Sequence, residues 1–242
     1  MIKRLLPLLF LLAIGSKGFA LNDRVRLGLQ FSPGVAWSKP FGKDLEKGKP
    51  RFGASYGFIV EYWFAKNYGL ASGINGAFDG FNIKGRELFE NVNGIKVRSI
   101  NEKYLFHYVE VPAYLKLKTN DIKEGKFSVW GQVGFTINLT VSARANFSDS
   151  IPTFYGTKVL IEKENILKRK NEVNNAIPDF WANFFDIRIG AGAGFEYRFD
   201  KRTSLVAGLF YHNGFINNLF DHDAKKEPNV MRMMSLRMGI LF

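Results

Sequence analysis

The sequence predicts an all-β protein: a closed antiparallel up-and-down transmembrane β-barrel of about eight strands, with short periplasmic turns and long extracellular loops. Three observations predict it. Apolar residues recur at every second position over long stretches. The connections between those stretches alternate short and long. The faces opposite the apolar ones carry charge in mid-strand.

The alternation is plainest in FSVWGQVGFTINLTV, residues 127–141, where Phe127, Val129, Val133, Phe135, Ile137, Leu139 and Val141 share one side. A period of two marks a strand, because successive side chains point to opposite faces. Most strands of soluble domains are only five or six residues long. The same period recurs over residues 25–37, 52–64, 68–79, 104–118, 185–199, 203–213 and 234–242, which makes about eight strands. The 24 Phe, 9 Tyr and 4 Trp suit strands.

Short connections, rich in turn residues, lie near 65–67, 119–125 and 200–202. Long ones are expected over 38–51, 80–103, 142–184 and 214–229. Short and long in turn is how an outer-membrane barrel is strung. Within the longest connection, VLIEKENILKRKNEV (159–173) roughly fits a helical stripe, so a short solvated helix with the charge run Lys168, Arg169 and Lys170 is expected there.

The direction of each face follows from its charges. Arg26, Glu61, Glu110, Lys116, Arg188, Glu196, Arg198 and Arg237 fall on the faces that also carry Trp63, Tyr114, Trp130 and many glycines. The opposite faces are nearly charge-free for about ten positions, enough for a tilted strand to cross a bilayer. A closed barrel pairs every backbone donor and acceptor, the one sheet form that hydrocarbon tolerates. Apolar faces therefore meet lipid, and polar faces meet the lumen. Aromatics at strand ends (Trp37, Phe64, Tyr68, Tyr104, Phe106, Phe127, Phe199, Phe242) are expected as interfacial girdles. Pro33 and Pro112 lie inside strands, where each removes a ladder bond, so bulges are expected beside them.

The first twenty residues, MIKRLLPLLFLLAIGSKGFA, have basic Lys3 and Arg4, an apolar run from Leu5 to Ile14 and small residues at Gly18 and Ala20. They read as a secretory signal peptide cleaved after Ala20, leaving 21–242 as one barrel domain. Removing Lys3, Arg4 and Lys17 takes the net charge from +12 to +9. The chain has no cysteine, which excludes disulfides, thiolate zinc sites and thiol catalysis.

Eight strands leave a lumen just wide enough for side chains. The eight inward charges named above are expected to pair there as a structural ionic plug, since an unpaired buried charge is costly. Gly190, Gly192 and Gly194 would make room for Trp63, Trp130 and the arginines. They do not form a dinucleotide loop, because position 195 is Phe. GFNIKGRE (80–87) has Arg86 and Glu87 where a phosphate loop needs Lys and Ser/Thr.

Three histidines exist. His107 and His212 lie near predicted outer strand ends, and His222 sits between Asp221 and Asp223, with Ser148, Asp149 and Ser150 as a hydroxyl cluster. An outer-rim enzyme would need these to converge. Solvated turn residues are the simpler reading, so no catalytic, cofactor or metal site is expected. Lys39, Lys43, Lys47, Lys49 and Arg51 face only Asp44 and Glu46, and such a patch would pair with lipopolysaccharide phosphates. Nucleic acid is not expected as a partner, because the basic residues are dispersed.

On YVEVPAYLKLK (108–118), GAGAGFEYRF (190–199), GLFYHNGFINNLF (208–220) and SLRMGILF (235–242), the chain resembles the PorT-like, porin-family small outer-membrane barrels of Bacteroidota. The resemblance spans essentially all of 21–242. It implies a Gram-negative outer-membrane location. It also implies that Phe242, in step with Ile240 and Met238, is the signal read by the barrel-assembly machinery. One named member of that family belongs to the type IX secretion apparatus. The expected role is a non-enzymatic envelope component whose loops bind a protein partner. A narrow pore and an outer-rim enzyme are the alternatives.

Overall fold

The computed structural model describes residues 24–39, 45–91, 94–122, 126–150, 159–167, 180–200, 203–221 and 230–242. The proposed signal peptide lies outside them. In chain order the strands are β1 (Val25–Lys39), β2 (Leu45–Lys47), β3 (Arg51–Ala65), β4 (Tyr68–Asn91), β5 (Gly94–Lys118) and β6 (Phe127–Ser150). They continue as β7 (Val159–Asn165), β8 (Phe180–Ala182), β9 (Phe185–Arg198), β10 (Ser204–Gly214), β11 (Leu219–Asp221) and β12 (Val230–Leu241).

Eight of these close a barrel. Each pairs antiparallel with the next in the order β1, β3, β4, β5, β6, β9, β10, β12, and β12 returns to β1. Leu27 and Phe242 exchange backbone hydrogen bonds of 3.1 and 2.8 Å at the foot of that seam. Closure leaves no open edge along the spanning part, which is what a hydrocarbon environment demands. The described residues contain no helix long and apolar enough to cross a membrane.

Orientation follows the alternation. Phe58, Ile74 and Phe135 point outward at 62%, 62% and 51% exposure, while Glu61, Asn75 and Thr136 on the alternate positions are buried. The apolar face is thus outside and the polar face inside, the reverse of a soluble barrel.

Five expectations need correction. Residues 80–103 are not a loop: β4 and β5 continue through them and pair as far as Asn91 and Gly94. Likewise β6 runs on to Ser150, inside the expected 142–184 loop, and pairs with β5 as far as Ser99. Over 159–165 the chain is strand β7, not helix, and it pairs with β6. An extended edge offers unmade backbone bonds, and pairing with it outweighs a weak helical stripe. Residues 168–173 lie outside the described part.

The fourth correction concerns the prolines. The register stays constant past Pro33 and Pro112, and the ladders to β12 and β4 simply lack a few partners there. The register shifts lie elsewhere, at Phe64 in β3, at Val141 in β6 and between Ala145 and Phe147 in the ladder to β7. The second bulge matters: Thr140 is inward, Val141 is outward, and inward positions then shift to Ala143 and Ala145. The fifth concerns the girdle. Tyr104 and Phe106 face inward and are fully buried, because they share the parity of Tyr114 and Lys116 on one unbroken strand.

Candidate functional site

Among the described residues, chemistry-bearing side chains converge in the lumen, and its filling changes along the axis. At the end with short turns, which is the periplasmic end, Glu61 accepts from the Lys116 ammonium and lies 3.7 Å from Arg26. Glu196 receives Arg26 at 2.9 Å and Lys118 at 3.0 Å. Lys116 also sits between two indoles, 5.7 Å from the Trp63 centroid and 5.3 Å from that of Trp130. Such rings stabilise an ammonium that has left water.

Halfway up, Arg188 is 2% exposed and reaches two carboxylates: Nη1 donates to Asp79 at 2.5 Å and Nε to Asp186 at 2.6 Å. The Tyr108 ring covers its guanidinium at 4.9 Å. Asp79 comes from β4 and Arg188 from β9, so this pair spans the lumen. Nearby, Arg237 donates to Gln132 at 2.9 Å and stacks 3.6 Å above the Phe210 ring. The Tyr114 hydroxyl meets Thr136 Oγ1 at 2.6 Å and His212 Nε2 at 2.9 Å.

Of the eight residues expected in the ionic plug, Arg26, Glu61, Lys116 and Glu196 come together. Arg188 joins the separate group with Asp79 and Asp186. Arg198 does not reach a glutamate; it pairs with Asp121 at 2.9 Å at the periplasmic mouth. Glu110 and Arg237 make no ion pair among the described residues, and both line a cavity of about 20 Å³ with Arg188 and His212. That volume suits about one water molecule, and the lining is polar enough to hold it.

Asp79, Asp186, Lys118 and Asp121 were not singled out from the sequence. Asp186 was legible, because it stands two positions from Arg188 on the same face. Asp79 shares the inward parity of Asn75 at the upper end of its run. Lys118 and Asp121 mark the end of a strand, where parity alone names no partner.

Above Glu110 the inward positions of β5 turn aromatic, with Asp79 opposite Phe106 at the lower edge of the cluster. Phe81, Tyr104, Phe106 and Tyr108 are buried together, with ring centroids 5.0 to 6.5 Å apart along the series. Ile166 and Ala182 from the extracellular connections pack on this cluster, and Ala182 donates its N–H to Ile166 at 3.0 Å. The strand pair β8 and β11 lies in the same connections.

The glycines of β9 have a specific use. A Cβ on Gly194 would stand 2.6 Å from the Trp130 ring, one on Gly190 2.5 Å from the Tyr114 hydroxyl, and one on Gly192 2.6 Å from Phe210. They make room for these rings and not for Trp63.

The two described histidines do not converge. His107 faces outward beside the Phe78 ring, 6.2 Å between centroids, and His212 faces the lumen. His222 and Asp223 lie outside the described residues, and the backbone of Ser148, Asp149 and Ser150 pairs within the β5–β6–β7 sheet. Among the described residues no group of three His, Cys, Asp or Glu is placed to hold a metal ion.

A closed eight-stranded barrel, apolar outside and polar within, defines an integral membrane protein of the outer-membrane kind. Residues 14–220 match the family described as "Outer membrane protein beta-barrel domain", and the chain belongs to that family. It is an outer-membrane protein. No functionally curated protein matches the sequence. Among solved structures the chain is similar to Ail of Yersinia pestis, in complex with a heparin analogue, at 15% identity and a TM-score of 0.35, covering 90% of this chain and 99% of that one. It is also similar to Neisserial surface protein A at 11% and 0.41, covering 89% and 95%. OprG of Pseudomonas aeruginosa is similar at 11% and 0.39, covering 90% and 95%.

Proposed function

We propose that this protein is a non-enzymatic envelope component, a membrane-anchored barrel that presents an extracellular sheet to a protein partner. The observation that carries this reading is the length of three strands. β4, β5 and β6 have 24, 25 and 24 residues, whereas β1, β3, β9, β10 and β12 have 11 to 15. Roughly 9–11 residues cross the hydrocarbon, so the surplus projects from the outer rim, where β2 and β7 extend it sideways. Strand edges are ready templates for pairing with another chain.

A filled lumen supports the same reading against a pore. Ion pairs occupy its lower part and stacked rings its upper part, and the cavity between them holds about one water. His107 outside the wall and His212 inside it disfavour an outer-rim enzyme built on that pair.

Three finer parts of the proposal concern contacts of the anchor. Lys47, Lys49 and Arg51, at the extracellular rim, pair with lipopolysaccharide phosphates together with Lys39 and Lys43. Phe242 presents the assembly signal: it is 47% exposed and turned to the outside with Ile240 and Met238. The resemblance to the PorT-like barrels makes a secretion or transport apparatus the first place to look for the partner.

The test is co-purification from mildly solubilised membranes, with the native chain beside a variant in which residues 85–101 are replaced by a two-residue turn. The native chain is expected to retain a defined partner that the shortened barrel loses while still folding. Equal recovery by both would overturn the proposal. So would a steady single-channel conductance of the purified protein in a planar bilayer.

A further inference from the structure

At the periplasmic end the lumen opens into a pocket of about 390 Å³ whose charged lining is entirely cationic: Arg24, Arg26, Lys66, Lys118 and Arg198. Trp63 forms its aromatic wall, 5.9 Å from the Lys118 ammonium. The volume lies in the range of ligand pockets.

The charges there do not balance. Arg26, Lys116, Lys118 and Arg198 share Glu61, Glu196 and Asp121. Glu61 and Glu196 are buried and do not line the pocket. Arg24 and Lys66 are exposed and make no ion pair among the described residues. Six cations therefore face three carboxylates.

The geometry points to a periplasmic docking site for a short acidic polypeptide segment, an Asp- or Glu-rich stretch of an envelope protein. Several cations spread around one mouth suit several linked carboxylates better than a single small anion. Alternate side chains of an extended peptide stand about 6–7 Å apart, and Arg forks bind carboxylates through paired hydrogen bonds. A lipid headgroup fits less well. The outward neighbours at this level are Tyr62 and Tyr68, both exposed on the lipid face, whereas Arg26, Lys118 and Trp63 lie on the lumen side and Phe64, at the bulge of β3, joins the pocket rim. A headgroup would have to fold over the rim to reach them.

The test uses the full mature chain in detergent and a fluorescein-labelled octaglutamate peptide, read by anisotropy. Octalysine serves as the peptide control. Arg24→Glu with Lys66→Glu reverses the two unpaired charges at the mouth without touching a buried pair. Lys84→Glu with Lys103→Glu reverses two exposed charges at the other end. Octaglutamate is expected to bind the native chain and the extracellular variant alike, and the mouth variant about tenfold more weakly or worse, with all binding reduced by salt. Failure of the native chain to bind, or equal loss in both variants, would overturn the inference. If phosphatidylglycerol vesicles displace the peptide in a mouth-dependent way, the occupant is a headgroup and the peptide assignment falls. Folding of each variant is followed by circular dichroism, and Arg24→Gln with Lys66→Gln gives the same reading if the reversals unfold the chain.

Discussion

Two halves of one lumen are built in different ways. Toward the periplasm, the inward positions of β5 are Lys118, Lys116, Tyr114, Pro112 and Glu110; the charged ones face polar or charged groups of other strands, and the Tyr114 hydroxyl meets Thr136 and His212. Toward the outside, the next inward positions of the same strand are Tyr108, Phe106 and Tyr104, stacked on one another and on Phe81. β5 runs unbroken through both and keeps one register with β4, while its ladder to β6 shifts by one residue at Val141, opposite His107 and Tyr108. The lower half depends on exact pairing across the barrel, because a charge without its partner is expensive in a dry interior. The upper half depends on area and fit, which are more forgiving of small shifts. Among the described residues the barrel thus has a charged floor and an aromatic ceiling.

The sharpest way to break this contrast is Arg188→Met. It strands two buried carboxylates, Asp79 and Asp186, at once. Removing one partner of a buried pair costs about 3–5 kcal/mol, and the upper end, about 5, is expected here. The measurement is urea unfolding of the barrel reconstituted in lipid vesicles. Adding Asp79→Asn and Asp186→Asn to the same chain is expected to recover most of the loss, since replacing a whole buried ionic group is often neutral. If the triple variant stays as weak as the single one, the guanidinium acts by packing and not by charge.

Phe81→Ala tests the ceiling. It removes a fully buried ring that touches Tyr104 and Phe106, and about 3–4 kcal/mol is expected from lost burial and the cavity left behind. No partner change should restore it, whereas Phe81→Leu should recover a good part. Rescue by size in the upper half and rescue by charge removal in the lower half would establish the contrast.

These two halves were not equally legible in the sequence. The period of two exposed the lipid face of every spanning strand, and with it the inward charges of Glu61, Lys116, Arg188 and Glu196. Apart from Asp186, beside Arg188 on the same face, their partners were not legible. Glu61 of β3 meets Lys116 of β5 across the intervening β4, and Arg188 of β9 meets Asp79 of β4, and such pairs depend on tilt and closure that no local pattern carries. The ceiling was missed for another reason. Residues 80–103 contain GREL, NVNG and INEK, polar enough to read as a loop, so Phe81 had no assigned face and Tyr104 and Phe106 passed for strand-end aromatics. The bulge at Val141 leaves no proline or glycine beside it, so the face switch in β6 had no local marker. In 159–165 the neighbouring edge of β6 decided the conformation against the weak helical stripe.

Gly194→Ala probes an aromatic contact within the lower half, at the level of Trp130, and ranks third. Its new Cβ would stand 2.0 Å from the Ala207 carbonyl oxygen and 2.6 Å from the Trp130 ring, so β9 and β10 must part or the indole must move. Overpacking of this kind costs about 1–3 kcal/mol. The shift should show as a change in tryptophan emission of the folded barrel. An unchanged emission together with full stability would mean that the glycine is not there for the ring.

The smallest effect is expected from Arg198→Ala, and its position makes it informative. Arg198 lies on β9, on the same face as Arg188 and Glu196, and its partner Asp121 is as close as those in the lumen, at 2.9 Å. The difference is water: the Arg198 and Asp121 side chains are 36% and 30% exposed, where Arg188 and Asp79 are each 2%. An exposed pair gives back in solvation most of what it gains in attraction, so less than about 1 kcal/mol is expected, and that loss should shrink further in high salt. Arg188 and Arg198 are then the same residue type on one face of one strand, and depth in the barrel alone separates a severe loss from a slight one. An Arg198→Ala loss as large as that of Arg188→Met would mean that the periplasmic mouth is closed to water in the membrane, and the charged floor would have to extend through it.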